Sequence, residues 1–313
     1  MKNKYNLQGK KIFVAGHQGM LGSSICRNLE KKNVEVLAIS HDKLDLTRQS
    51  DVENWVKVNR PDAIIVAAAK VGGIYANDNY PAEFIYQNLA IEQNLIHAAH
   101  LNGVEKLVML GSSCSYPKMA SQPIIESSLM DGKPEITNQW YTVAKIAGIK
   151  LSEAYRKQYN HDFISIIPAN LFGPGDSFDL VNSHVIPGLI RRLHESKITN
   201  KPNEVIWGSG MQKREFMYVD DASDAIIFLM ENYSDSEVIN VGTGEEITIK
   251  MLSEKIAGIV DYQGELIYDT TKPDGAPRKI LDVSRLHAMN WYHTSGFNNA
   301  LNLTYQWFCK NSF

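Results

Sequence analysis

Cysteine is scarce in this chain. Cys26, Cys114 and Cys309 are the only three in 313 residues, and they show neither the paired spacing of a metal site nor the density of a disulfide framework. A small stapled secreted domain is therefore excluded, and no metal is expected. An excess of one charge is also lacking: 32 Lys+Arg stand against 35 Asp+Glu, for a net charge of −3. The basic residues are scattered, so the concentrated cationic face that nucleic-acid binding requires is missing. No apolar run approaches the roughly 20 residues needed to span a bilayer. The polar start, residues 1–11, leads into a strand rather than an apolar signal region. These absences imply a soluble protein of the reducing cytoplasm, with neither nucleic acid nor membrane among its partners.

What is present is regular alternation. Apolar runs at Lys11–Ala15, Val34–Ile39, Ala63–Ala67, Lys106–Leu110 and Phe163–Ile167 read as buried strands. Between them, helical patterns cover about Leu21–Lys32, Asp51–Asn59, Pro81–Asn102 and Trp140–Tyr159. Strands that are apolar on both faces belong to a parallel sheet covered by helices. The fold class is α/β, a doubly wound parallel sheet of Rossmann type with a smaller C-terminal substrate lobe. After about Pro174 the pattern loosens into helices at Val185–Ser196, Ala222–Asn232 and Met251–Val260 and strands at Val205–Trp207 and Val238–Val241. The tail from Lys272 is rich in Pro, Gly and charge. At roughly 150 residues per domain the length suits two lobes. Residues 1–173 would bind a dinucleotide, and 174–313 would mainly bind substrate, with about 216–243 returning to the first lobe.

Gly16, Gly19 and Gly22 form a turn between the first strand and its helix. Glycines there let the backbone approach a pyrophosphate, and the helix N-terminus attracts its charge. The end of the second strand, Ser40-His41-Asp42, should meet the adenosine ribose. Asp42 suits a free 2′-hydroxyl and His41 can carry positive charge, so these residues leave the choice between NAD and NADP open. Tyr141 and Lys145 lie one helical turn apart. A fixed ammonium favours phenolate, drawing a phenol with a pKa near 10 toward the working range of an acid or base. Ser112 or Ser113, after the fourth strand, can hold a substrate carbonyl oxygen. Cys114 in the same loop could remove a proton from a carbon flanking that carbonyl. His184 opens a helix whose N-terminus lowers a histidine pKa toward a proton-exchanging range.

The segments Gly16–Gly22, Ala67–Ile74, Gly111–Pro117, Tyr141–Lys150, Asn182–Pro187 and Trp207–Gly210 together resemble the extended short-chain dehydrogenase/reductase family. They most resemble its enzymes that convert GDP-4-keto-6-deoxy-D-mannose to GDP-L-fucose, and the likeness runs from about Lys11 to Phe308. It implies epimerisation at carbons 3 and 5, with Cys114 as base and His184 as acid. It also implies reduction at carbon 4 by NADPH, with Tyr141 as proton donor, Lys145 tuning it and Ser112 as the catalytic serine. The cofactor NADP(H) would be lined by Gly16, Gln18, Gly19, Met20, Leu21 and Gly22, then by His41, Asp42, Asp45 and Leu46. Leu110, Ser113, Lys145, Pro168, Asn170, Leu171 and His184 would complete its site. Arg192, Trp207, Arg214, Asp274 and Lys279 would grip the GDP part of the substrate, Arg pairing phosphate bidentately and Lys as a point charge. Relatives often carry Arg where this chain has Gln18 and His41, so the preference for NADPH should be relaxed. By analogy the Pro81–Asn102 and Trp140–Tyr159 helices would pair across a two-fold axis into a homodimer. A related enzyme acting on another GDP-4-keto-deoxy sugar, a dideoxyhexose or deoxyheptose, is the alternative. A dinucleotide sensor without catalysis would not need the Tyr/Lys pair.

Overall fold

A computed structural model describes residues 4–180, 182–272 and 274–311. Its first half follows the sequence pattern closely. In chain order it holds β1 (Lys11–Ala15), α1 (Met20–Leu29), β2 (Glu35–Leu37), α2 (Gln49–Asn59) and β3 (Ala63–Val66). Next come α3 (Ile74–Asn79), α4 (Pro81–Leu101), β4 (Lys106–Leu110), α5 (Gln139–Tyr159) and β5 (Asp162–Pro168). The remainder is β6 (Asn170–Phe172), α6 (Val185–Ile198), β7 (Asn203–Trp207), β8 (Lys213–Arg214), β9 (Phe216–Tyr218), α7 (Val219–Asn232) and β10 (Ile239–Val241). It closes with β11 (Ile247–Thr248), α8 (Ile249–Val260), β12 (Glu265–Asp269), β13 (Arg278–Lys279), α9 (Ser284–Ala288) and α10 (Phe297–Asn311).

Six strands form one parallel sheet in the order β10-β5-β4-β3-β1-β2. The order reverses beside β1, and in such sheets ligands bind outside the carboxyl ends of the strands at that reversal. The glycine turn leaves β1 at this place. Successive side chains of β1 serve opposite faces, as the pleat requires: Ile12 and Val14 join one core, Phe13 and Ala15 the other. A third core, built on Phe172, Ile186, Leu189, Leu252 and Phe308, lies under α6, α8 and α10.

Residues 216–241 carry β9, α7 and β10: α7 packs on α1, and β10 pairs with β5. The Pro- and Gly-rich tail, to which the pattern assigns no element, carries β13, α9 and α10. In α10, Ala300, Leu301, Thr304 and Phe308 are buried, a helical stripe short enough to be overlooked beside the polar residues around it. Among the described residues no helix is long and apolar enough to cross a membrane.

Candidate functional site

The glycine turn is closed by contacts that only glycine permits. Gly16 has φ +89°, and a Cβ there would stand 2.6 Å from the Ala68 nitrogen. A Cβ on Gly22 would stand 2.1 Å from the Gly16 carbonyl oxygen. Gly19 is the N-cap of α1, so the free amides of the first turn face the crevice. Met20 and Leu21 follow half-buried, and Gln18 is exposed. Beyond β2 lies a cavity of about 460 Å³ lined by His17, Ser40, Lys43 and Trp55 among others. These residues and the turn glycines fit a dinucleotide. The sequence reading pointed to Gln18 and His41 and overlooked His17 and Lys43. His41 and Asp42 are exposed, and the Ser40 hydroxyl holds the Asp42 carboxyl below the usual range. Asp45 is turned to its own loop, accepting from the Thr47 amide at 2.9 Å and hydroxyl at 2.7 Å. The Leu46 carbonyl accepts from Asn94 at 2.9 Å. Leu110, Ser113 and Pro168 are buried at or beyond the ends of β4 and β5. Leu171 lies in β6, where the Asn170 side chain donates to the Glu215 carbonyl at 3.0 Å.

Tyr141 and Lys145 stand one turn apart at the start of α5, with the Lys145 ammonium 5.8 Å from the phenol ring centre. Lys145 is 2 % exposed and donates to the Leu110 carbonyl at 3.0 Å. A carboxylate that sequence reasoning missed, Glu92 of α4, stands 3.0 Å from the same ammonium. Burial pushes the Lys145 pKa down, but Glu92 and Tyr141 outweigh it, leaving the group above the usual lysine value. The expected fall of the Tyr141 pKa does not hold in this state. Burial pushes the phenol up, Cys114 and Glu92 add to the rise, and the pull of Lys145 and the Ser112 hydrogen bond does not cancel it. A phenol held in the protonated form is a proton donor rather than a base. The Ser112 hydroxyl, the serine that meets Tyr141, also accepts from the Cys114 amide at 3.2 Å.

Cys114 follows in a 3-10 turn, half-buried, its carbonyl accepting from Thr142 of α5 at 3.1 Å. Lys279 lies near it, with its ammonium 3.5 Å from the sulfur. The expected place of Lys279 was the nucleotide, and parallel pairing of β13 with β8 does set it opposite Arg214. Asp274 accepts from the Ser209 amide at 2.6 Å and hydroxyl at 2.8 Å, and it supports the charge of Arg214, which burial opposes. Gly208, at φ +83°, leaves room for Asp274, whose oxygen a Cβ would meet at 2.3 Å. Trp207 is 66 % exposed, with the Lys272 ammonium 5.6 Å from its ring. Arg192 of α6 donates at 3.2 Å to the carbonyl of Val205, which lies two residues before Trp207 on β7.

His184 is the N-cap of α6. The helix-terminus effect expected from sequence is overridden: the nearby Asp176 carboxylate is the largest influence and raises the histidine pKa above its ordinary value. The two groups lie 3.8 Å apart. The 70–74 segment joins this region through the Gly73 amide, which donates to the Asn182 carbonyl at 3.0 Å. Among the described residues no group of three or more His, Cys, Asp and Glu could hold a metal ion.

Glu92 left one signal in the sequence. Asn88, Glu92, Leu95, Ile96 and Ala99 occupy the buried stripe of α4, so a lone carboxylate interrupts an inward face. Asp176 left none, because its partner depends on a loop.

The profile of the NAD dependent epimerase/dehydratase family matches residues 12–242. A GDP-L-fucose synthase from Sinorhizobium fredii (strain NBRC 101917 / NGR234) is 52% identical over 307 residues, 98% of each chain. A solved GDP-L-fucose synthetase from Naegleria fowleri bound to NADP superposes with TM-score 0.92 at 26% identity, covering 100% of this chain and 98% of that one. A GDP-6-OMe-4-keto-L-xylo-heptose reductase from C. jejuni gives TM-score 0.91 at 31% identity, covering 98% and 99%. With half its residues shared along the full length of one relative and the profile spanning the whole sheet, the chain belongs to the NAD dependent epimerase/dehydratase family.

Proposed function

We propose that this enzyme converts GDP-4-keto-6-deoxy-D-mannose to GDP-L-fucose, epimerising carbons 3 and 5 and reducing carbon 4 with NADP(H) as cofactor. The observation that carries the reading is one half-buried phenol, Tyr141, facing Lys145, Ser112 and Cys114 together. A ketone at carbon 4 acidifies the hydrogens on both neighbouring carbons. Cys114 takes such a proton as base, and His184 returns one from the opposite face as acid. Bound NADPH supplies the hydride for carbon 4. Tyr141 gives its proton to the carbonyl oxygen, and Ser112 donates a hydrogen bond to it. Trp207, Arg192, Arg214 and Asp274 hold the GDP part, and Lys279 lies between that group and Cys114. Lys43, lining the cavity beyond β2 together with His17, is a cation available to a 2′-phosphate.

The division of labour follows the chain: residues 1–173 hold the cofactor, and most of 174–313 holds the sugar nucleotide. The three cysteines are free, as a thiol base in a reducing cytoplasm requires. The likeness to the heptose reductase favours a second reading, in which another GDP-4-keto-deoxy sugar is the substrate. The test is incubation with GDP-4-keto-6-deoxy-D-mannose and NADPH, followed by identification of the sugar. GDP-L-fucose is the expected product. Absence of NADPH oxidation, with rapid oxidation on a GDP-4-keto heptose, establishes the second reading instead.

A further inference from the structure

Glu92 is 1 % exposed and comes from α4, an element with no other part in the proposed chemistry. Its carboxylate is pressed into a notch that α5 leaves open. A Cβ on Gly148 would stand 2.2 Å from one Glu92 oxygen and 2.7 Å from the Met109 Cε, so only glycine accommodates it there. The other oxygen stands 3.0 Å from the Lys145 ammonium. Buried ion pairs are costly to desolvate, and apolar residues of similar volume often serve stability as well. Packing alone therefore gives no reason to keep a carboxylate in this place.

The direction of the reaction does. Reduction adds hydride to carbon 4 and a proton to its oxygen, so Tyr141 must enter the step as phenol and leave it as phenolate, which solvent reprotonates. The Lys145 ammonium pulls against the burial that holds the phenol's proton, and Glu92 acts on the side of burial. We propose that Glu92 is a positioning residue for this step: its carboxylate balances the Lys145 charge and keeps the Tyr141 phenol protonated until the substrate oxygen takes the proton. Among the described residues, the titratable groups facing this pair are Tyr141 on the same helix as Lys145 and Cys114 after β4. β4 itself offers the Leu110 carbonyl. The inference rests on Tyr141 as proton donor.

Removing a negative charge from beside a coupled phenol and ammonium lowers the pH at which the pair loses its first proton, whichever of the two releases it. Glu92→Gln is expected to move the alkaline limb of kcat to lower pH by about one unit or more, with KM for NADPH near the parent value. Without substrate, the near-ultraviolet phenolate band of Tyr141 should rise at correspondingly lower pH. That band is isolated by subtracting the spectrum of the same protein carrying Tyr141→Phe. Glu92→Asp withdraws the charge by one methylene and should shift both readouts in the same direction by less. It gives the same measurement if the Gln variant does not fold. Limb and band that stay at the parent pH, or move upward, overturn the role of Glu92 while leaving Tyr141 as donor. Full reductase activity in Tyr141→Phe overturns the donor reading and the inference with it.

Discussion

At the scale of single residues, the site is governed by pairs that sequence spacing does not reveal. Tyr141 and Lys145 were legible because four residues make one helical turn, a property of the local chain. Asp176 beside His184 and Glu92 beside Lys145 come from other elements, and only tertiary packing brings them in. The Asp176 pair has a measurable consequence. His184 has its pKa raised in the fold, so the pair adds stability below the unfolded value near 6.5, and this is lost as pH rises through the folded value. The same shift keeps His184 protonated, and able to act as an acid, to higher pH. In Asp176→Asn, deuterium wash-in at carbons 3 and 5 should therefore fall away at a pH lower than in the parent by about one unit. A fall at the parent pH would show that Asp176 does not set the state of His184, and a fall at higher pH would reverse the argument.

At the scale of elements, the strands of the six-stranded sheet and the long helices around it were legible, while β12, α10 and the shortest strands outside that sheet were not. β1, β3 and β4 read as continuous apolar runs because helices cover both faces of the sheet. β6, β8, β9, β11 and β13 have two or three residues each, too few to show a period of two, and exist because neighbouring segments pair with them. The helices α4 and α5 pack together and present Tyr86, Leu101, Val143 and Tyr159 outward, each more than two-fifths exposed. Aromatic and aliphatic groups left outside on one helix pair suit a contact between copies of the chain. A homodimer through α4 and α5 is the arrangement we propose. Sedimentation velocity should find a dimer for the parent and a monomer for the double variant Tyr86→Glu, Val143→Glu. A monomeric parent, or a variant that stays dimeric, rules out this interface.

At the scale of the whole molecule, the chain crosses repeatedly between the six-stranded sheet and the second core. It leaves after β5 and returns through α7 and β10. It leaves again through α8 and β12, returns with α9 and ends on the far side with α10. Glu215 ties these crossings together, buried and accepting from the backbone amides of Thr243, Gly244 and Leu281 at 2.7 to 2.8 Å. Neither core can open without pulling on segments of the other, so heat should unfold both in one transition. A ligand that binds only the folded state stabilises it by about 2.7 kcal/mol at a hundred times its Kd. NADPH, which on the proposed reading is held mainly by residues 1–173, should therefore move the entire calorimetric transition upward, including unfolding of the half that carries Trp207 and Phe308. Trp207 fluorescence supplies the local readout, compared with a Trp207→Phe control. If NADPH raised a first transition and left the Trp207 change at its original temperature, the lobes would be independent and the cleft between them would close only on substrate.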